Sequence, residues 1–93
     1  MSERRSKFEI IYDILKAIQD KGGQIKPTHL LYKSNLSYKR LQGYMENLLK
    51  KGLIEKIEEG KKTKKNKIVL TDKGYEFLAN YNKIREFTEA FGL

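Results

Sequence analysis

The chain of 93 residues contains no cysteine and no tryptophan, and it has one histidine, His29. The lack of cysteine excludes disulfide bonds and thiolate metal sites, and one imidazole leaves little material for zinc binding or histidine-based catalysis. No Ser-His-Asp arrangement, glycine-rich phosphate loop or catalytic pair of carboxylates is visible. The composition therefore indicates no enzyme, no metal and no cofactor.

Long apolar runs are also absent. No stretch approaches the roughly 20 residues that span a bilayer, and the first residues, MSERRSKFEI, lack the apolar segment of a secretory signal. With 39 % hydrophobic residues, a chain of this length suits one domain with a modest core. We expect a cytoplasmic protein with no membrane partner.

Basic residues are in excess, and the excess is concentrated. The net charge is +8 and the pI is about 9.7, which favours a polyanionic partner such as nucleic acid or an anionic membrane surface. Residues 33–70 carry eleven bases against four acids, whereas the whole chain carries 20 against 12. A general preference for lysine, as in heat-adapted proteins, would not concentrate the charge in this way.

Helix signals divide the first half of the chain into three helices. Ser6 and Glu9 form a capping-box pattern, and apolar residues then repeat at the spacing of one helical face. These residues are Phe8, Ile11, Ile14, Leu15 and Ile18. The signals predict helices at about 6–21, at about 27–33 and from Ser37 or Tyr38 to about Lys51.

The second half predicts a hairpin and a final helix. Two apolar segments, at about 53–59 and 67–71, flank the basic stretch GKKTKKNK and read as strands. A helix at about 72–91 follows, and a short extended piece at about 24–26 precedes the second helix. The predicted fold is mainly α with a small β-hairpin, in the α+β class.

This order of elements is that of a winged helix-turn-helix domain, at 1–72, followed within the same structural unit by a long dimerisation helix at 73–93. In such domains the second helix of the pair enters the major groove and the hairpin loop lies along the backbone. The predicted recognition residues are Ser37, Tyr38, Lys39, Arg40, Gln42 and Gly43. The predicted backbone contacts are Lys33, Ser34, Lys61, Lys62, Lys64, Lys65 and Lys67. The alternative is a solvated helix face and a solvated loop with no partner.

Two residues stand out from these patterns. Gly43 costs about 1 kcal/mol inside a helix relative to alanine, which suggests that another backbone approaches it closely. That backbone belongs either to DNA or to another part of the same chain. His29 is interpreted as a surface residue or a phosphate contact.

The last helix carries a heptad pattern, in which apolar residues alternate at spacings of three and four from Gly74 onward. The expected dimer interface consists of Phe77, Tyr81, Ile84, Phe87, Thr88 and Phe91. Pairing with a second copy would cover this stripe, because monomers rarely leave such a surface exposed. The alternative is that the helix folds back over the first helix.

Three stretches carry a resemblance to a known family. SKFEIIYDILKAI, NLSYKRLQGYMENLLKKGLIEK and VLTDKGYEFL resemble the small archaeal winged-helix DNA-binding proteins of about ten kilodaltons, over about residues 6–86. Some members are described as chromatin proteins and others as predicted transcriptional regulators. The resemblance implies a homodimer formed by an antiparallel coiled coil of C-terminal helices. This chain departs from the family in its shorter tail and in its longer, more basic wing.

The sequence therefore predicts a homodimer that binds double-stranded DNA, located with the nucleoid and acting as a transcriptional regulator. One alternative is a nucleoid architectural protein that barely discriminates sequences. A second is a winged-helix module that binds other proteins. No small-molecule substrate is indicated.

Overall fold

The computed structural model describes residues 5–60 and 65–92, apart from the side chains of Glu59 and Lys65. Its helices and strands follow the predicted order. They are α1 (Lys7–Asp20), β1 (Gln24–Ile25), α2 (Pro27–Ser34), α3 (Tyr38–Lys50), β2 (Ile54–Glu59), β3 (Lys65–Leu70) and α4 (Asp72–Ala90). No helix in these ranges is both long and apolar enough to cross a membrane.

Side-chain hydroxyls begin three of the four helices. The Oγ atoms of Ser6 and Ser37 accept hydrogen bonds from the third residue beyond each of them, at 3.1 and 3.2 Å. Thr71 does the same for α4, and its hydroxyl also donates to the carbonyl of Gly52 at 2.7 Å. Each cap satisfies a backbone N–H that the helix itself leaves unpaired. The predicted starts of these helices are confirmed.

The predicted hairpin is part of a three-stranded antiparallel sheet with the order β1-β3-β2. The short extended piece before α2 pairs with β3, so that Gln24 faces Val69 and Ile25 faces Ile68. Side chains alternate between the two faces of a strand. Ile25, Ile54 and Ile68 accordingly point to the same side and are all buried.

The core lies between the helices and this face of the sheet. Its largest contribution comes from α1, which buries Ile10, Ile11, Ile14, Leu15 and Ile18. The predicted apolar face of α1 is wrong at Phe8, whose side chain is 63 % exposed. Ile10, which the prediction did not include, is buried in the core. Phe8 lies in the first turn of α1.

Helix α4 begins inside the core and then runs along α1. Gly74 and Leu78 are buried, and a Cβ on Gly74 would collide with the carbonyl oxygen of Leu53 and with the side chain of Leu70. One turn beyond Leu78, the rings of Tyr12 and Tyr81 stack with centroids 4.5 Å apart. The first turns of α4 therefore pack into the same core as the residues before them, 5–60 and 65–71.

Candidate nucleic-acid interface

Helix α3 buries one side and exposes the opposite side. Its buried residues are Leu41, Met45 and Leu48, while Lys39, Arg40, Gln42 and Gly43 are all exposed. Tyr38 is also exposed, at 67 %. The structure thus brings the predicted recognition residues together on the outer, N-terminal part of α3. Cationic and amide side chains at this place are of the types that pair with guanine and adenine edges.

The turn between α2 and α3 is held by its own polar groups and by one apolar residue. Asn35 takes the left-handed conformation, with φ of 60°, and Leu36 inserts into the core. The Ser37 hydroxyl caps α3 and stays at the surface. This turn fixes the direction in which α3 leaves α2.

The predicted phosphate contact of Ser34 is wrong, because this residue is buried. Its side chain is 1 % exposed, its hydroxyl donates to the carbonyl of Leu31 at 3.0 Å, and the N–H of Leu36 donates to that hydroxyl at 3.3 Å. Arg5 also donates to the carbonyl of Ser34 and forms an ion pair with Asp13 at 2.7 Å. Ser34 therefore holds the turn together inside the fold and cannot reach a phosphate.

Gly43 faces open space. No atom from elsewhere in the described chain lies within 4 Å of the position that a Cβ would occupy. The sequence left open whether α2, the wing or DNA approaches this glycine. Among residues 5–60 and 65–92, no part of the protein does so.

A shallow depression of about 250 Å³ borders Gly43, and Lys7, Arg40, Tyr44 and Asn47 complete its lining. Lys7 comes from the first turn of α1, and sequence reasoning missed it. Nothing in its local pattern reveals the proximity, which depends on how α1 crosses α3. Lys7 and Arg40 place two positive charges at one edge of the exposed face of α3.

The predicted backbone contacts fall into three groups. Lys33 lies on the flank of α2 turned towards α1, where it lines a depression together with Asp13 and Asp20, and the structure does not bring it together with the α3 residues. Lys67 lies on β3 opposite Ile57 and lines another cleft. The remaining wing lysines, Lys61, Lys62 and Lys64, lie outside the described residues, as does the side chain of Lys65.

The predicted dimer stripe on α4 divides into two parts. Phe77 and Tyr81 are half-buried, because Tyr81 stacks on Tyr12 and Phe77 packs against the core. The Tyr12 hydroxyl also donates to Asn82 Oδ1 at 3.1 Å, and burial beside Tyr12 raises the pKa of Tyr81, with the negative charge of Glu9 acting in the same direction.

Beyond Asn82 the apolar residues of α4 are exposed. The side chains of Ile84, Phe87 and Phe91 are 63 %, 64 % and 67 % exposed, and the two phenyl rings lie 4.9 Å apart. Thr88 is half-buried, and its hydroxyl donates to the carbonyl of Arg85 at 2.9 Å. Helix α4 thus folds back over α1 in its first half and presents an apolar stripe in its second half.

Comparison with known proteins finds relatives among archaea. The uncharacterized protein MJ0287 of Methanocaldococcus jannaschii is 39 % identical over 56 residues, which cover 60 % of this chain and 56 % of that protein. The uncharacterized protein MJ0290 of the same organism is 37 % identical over 57 residues, covering 61 % of this chain but 26 % of that protein. The chain therefore spans only part of the length of these relatives.

Two solved structures share the fold. Sso10a-2, a DNA-binding protein from Sulfolobus solfataricus, superposes with a TM-score of 0.76 at 22 % identity, covering 94 % of this chain and 85 % of that one. A protein from Pseudomonas aeruginosa, provisionally described as a transcriptional regulator, gives a TM-score of 0.74 at 20 % identity, covering 89 % of this chain and 56 % of its own.

The family model of the winged helix-turn-helix proteins matches residues 4–89, which include every helix and strand described above almost to the end of α4. The helix pair α2–α3, the hairpin of β2 and β3 and the third strand β1 are the elements of that fold. This chain therefore belongs to the winged helix-turn-helix family.

Proposed function

We propose that this protein binds double-stranded DNA as a homodimer and acts as a transcriptional regulator. The observation that carries the proposal is the exposed face of α3, where Lys39, Arg40 and Gln42 surround a glycine that no other described part of the chain approaches. The descriptions of Sso10a-2 as DNA-binding and of the Pseudomonas protein as a regulator support the same function.

The chemistry of this face suits the major groove. A guanidinium or ammonium group pairs with the O6 and N7 atoms of guanine, and the amide of Gln42 can pair with N6 and N7 of adenine. Gly43 would allow the DNA backbone or a base edge to approach the helix closely. Lys7, across the depression from Gly43, would add a phosphate contact from α1.

The wing supplies the second set of contacts. The stretch GKKTKKNK follows β2 in the sequence, runs into β3 and contains five lysines, and the hairpin loop of a winged helix touches the neighbouring DNA backbone. Contacts of this kind neutralise phosphates without reading sequence, and each contributes to the salt dependence of binding. The wing would therefore set affinity, and α3 would set the preference among sequences.

The dimer rests on the exposed second half of α4. Three large apolar side chains lie within an arc of about 60° at 3.6 residues per turn, and water would otherwise cover them. A second copy that presents the same stripe is the occupant we propose, because a two-fold dimer covers both stripes at once. Two copies would also place two α3 helices on successive major grooves.

A regulator and a nucleoid architectural protein differ in their discrimination between sequences. Filter binding of genomic fragments in competition with random DNA measures this difference. A regulator retains particular fragments, and Gln42→Ala lowers their preference over random DNA by roughly tenfold, since a bidentate base contact contributes about 1–3 kcal/mol. Equal retention of all fragments would favour the architectural role. A module that binds only proteins would show weak retention that is insensitive to salt.

A further inference from the structure

A second cationic cluster lies on the other flank of α2 from α3. A cleft of about 390 Å³ is lined by Lys21, Gln24, Ile25, Lys26, His29 and Lys67. These side chains come from the end of α1, from β1, from the start of α2 and from β3. Three of these residues are lysines and one is a histidine, so the fold gathers four basic groups that are dispersed over 47 positions of the sequence, from 21 to 67.

The sheet register explains how two of these lysines meet. Gln24 faces Val69 and Ile25 faces Ile68, and Lys26, the N-cap of α2, follows β1 directly, so this pairing brings Lys26 and Lys67 to the same cleft. Lysine ammonium groups and an imidazole around one cleft are donors of the kind that bind phosphate.

His29 adds a group that titrates. Partial burial lowers the pKa of His29, and the charges of Lys21, Lys33 and Lys26 lower it further. Lys67 faces the same cleft from β3. These effects favour the neutral imidazole, and a bound anion would offset the lysine charges and favour the protonated imidazole.

The position of the cleft links it to the DNA surface. Pro27 and Thr28, in the first turn of α2, line a small apolar groove with Tyr38 and Gln42 of α3, so the start of α2 borders the recognition face. On the other side, Lys67 lies two residues after the first residue of β3, where the wing joins the sheet. The cleft thus lies between β3 and the start of α2.

We propose that this cleft binds a phosphate group and that His29 takes up a proton when the phosphate enters. The favoured source is a backbone phosphate of the bound duplex, and in that form the inference rests on the proposed function. The other source is a free phosphorylated small molecule, for which the same lysine and imidazole donors would serve. Because the bound anion stabilises the imidazolium, binding strengthens as the pH falls through the pKa of the complex.

Nuclear magnetic resonance of the imidazole tests the proposal directly, because the chain has a single histidine and its ring signals need no further assignment. The titration midpoint of His29 is measured in the free protein, with a saturating duplex and with inorganic phosphate. We expect the duplex to raise the midpoint by about one pH unit or more, as an opposite charge within a few ångströms does. If inorganic phosphate raises the midpoint and the duplex does not, the cleft is a phosphate site whose ligand is a free phosphorylated small molecule.

Variants separate the cleft from the rest of the DNA surface. Lys21→Gln/Lys26→Gln removes two exposed lysines of the cleft and leaves α3 and the wing unchanged. We expect this variant to abolish the upward shift of the His29 titration midpoint. Lys83→Gln, which removes one exposed charge from α4, is the control. Because the cleft variant removes two charges, we expect its loss of duplex binding free energy to exceed twice the loss caused by Lys83→Gln.

A midpoint that neither duplex nor inorganic phosphate moves, in wild-type protein that does bind duplex, would overturn the cleft while leaving the proposed function intact. The reverse result, in which duplex does not bind but inorganic phosphate raises the midpoint, would overturn the DNA function and leave the cleft as a phosphate site. The two failures are thus distinguishable in one set of samples.

Discussion

At the scale of single residues, two helical glycines have opposite surroundings. Gly74 in α4 is packed against the carbonyl of Leu53 and the side chain of Leu70, whereas Gly43 in α3 faces open space. Both occupy helical positions in which glycine costs about 1 kcal/mol relative to alanine. The packing of α4 accounts for the first glycine, and the proposed approach of DNA accounts for the second.

This contrast predicts opposite effects of the same substitution. Gly43→Ala should raise the free energy of unfolding by about 0.5–1 kcal/mol and weaken duplex binding about fivefold or more, because the new methyl group meets the DNA. Gly74→Ala should lower the free energy of unfolding by about 1–3 kcal/mol, because a backbone carbonyl cannot move aside easily. Urea denaturation and a duplex titration measure both effects. If Gly43→Ala is more stable and binds duplex as the wild type does, the close approach at Gly43 is refuted.

Single residues also mark the limit of what the sequence predicts. The sequence predicts that Ser34 contacts a DNA phosphate, but its hydroxyl makes two hydrogen bonds inside the fold. Phe8 fits the apolar spacing of α1, yet its side chain is exposed to solvent in the first turn of the helix. Helical spacing gives the direction of a side chain and says nothing about where the neighbouring elements end.

At the scale of elements, local sequence signals are sufficient to predict where three of the described helices begin. Caps at Ser6, Ser37 and Thr71 start their helices where the sequence predicts them, because capping is a contact between residues three apart. The pairing of β1 with β3 and the cleft that holds His29 are not predictable in the same way. Both depend on contacts between residues more than 35 positions apart, which no local pattern specifies.

The second half of α4 is the element on which the proposed dimer depends. Ile84→Glu places a charge in the exposed stripe and should convert a dimer into a folded monomer, since the carboxylate would lose its water in the interface. Sedimentation at micromolar concentration measures the change, and far-UV circular dichroism checks that the helices persist. Tyr81→Glu is a less direct test, because Tyr81 also stacks on Tyr12 within its own protomer.

Ala79→Glu is the matched control for Ile84→Glu. It adds the same charge to an exposed residue of the same helix, about a third of a turn around from the stripe, and should leave the dimer intact. Wild-type protein that sediments as a monomer at micromolar concentration would contradict the proposed role of α4.

The wing is the element expected to contribute sequence-independent affinity. Replacing its five lysines, Lys61, Lys62, Lys64, Lys65 and Lys67, with glutamine should weaken binding to every duplex by a similar factor, because phosphates carry no sequence information. Replacing them with arginine keeps the charge and serves as the control. Competition assays with several duplexes measure the factors. Unchanged affinity in the glutamine variant would remove the wing from the interface.

At the scale of the whole molecule, charge and shape are divided between two ends. The protein measures 54 × 32 × 22 Å, and α4 extends away from the compact part that holds α3 and the sheet. The basic excess belongs to residues 33–70, while residues 71–93 carry three bases and four acids. Under the proposed function, DNA would bind the basic residues and a second copy would bind the nearly neutral apolar end of α4, so the two partners would not compete for the same surface.

The central claim is that α3 and the wing contact the same duplex, and the salt dependence of duplex affinity tests it most directly. The affinity is measured against salt concentration for the wild type, for Lys39→Gln/Arg40→Gln, for the wing glutamine variant and for the two combined. We predict that the logarithm of affinity falls linearly with the logarithm of salt, that the slope shrinks by about 0.9 for each phosphate that a variant no longer neutralises, and that the combined variant has the shallowest slope. A wild-type affinity that does not change with salt, or a slope that the α3 substitutions leave untouched, would contradict the account.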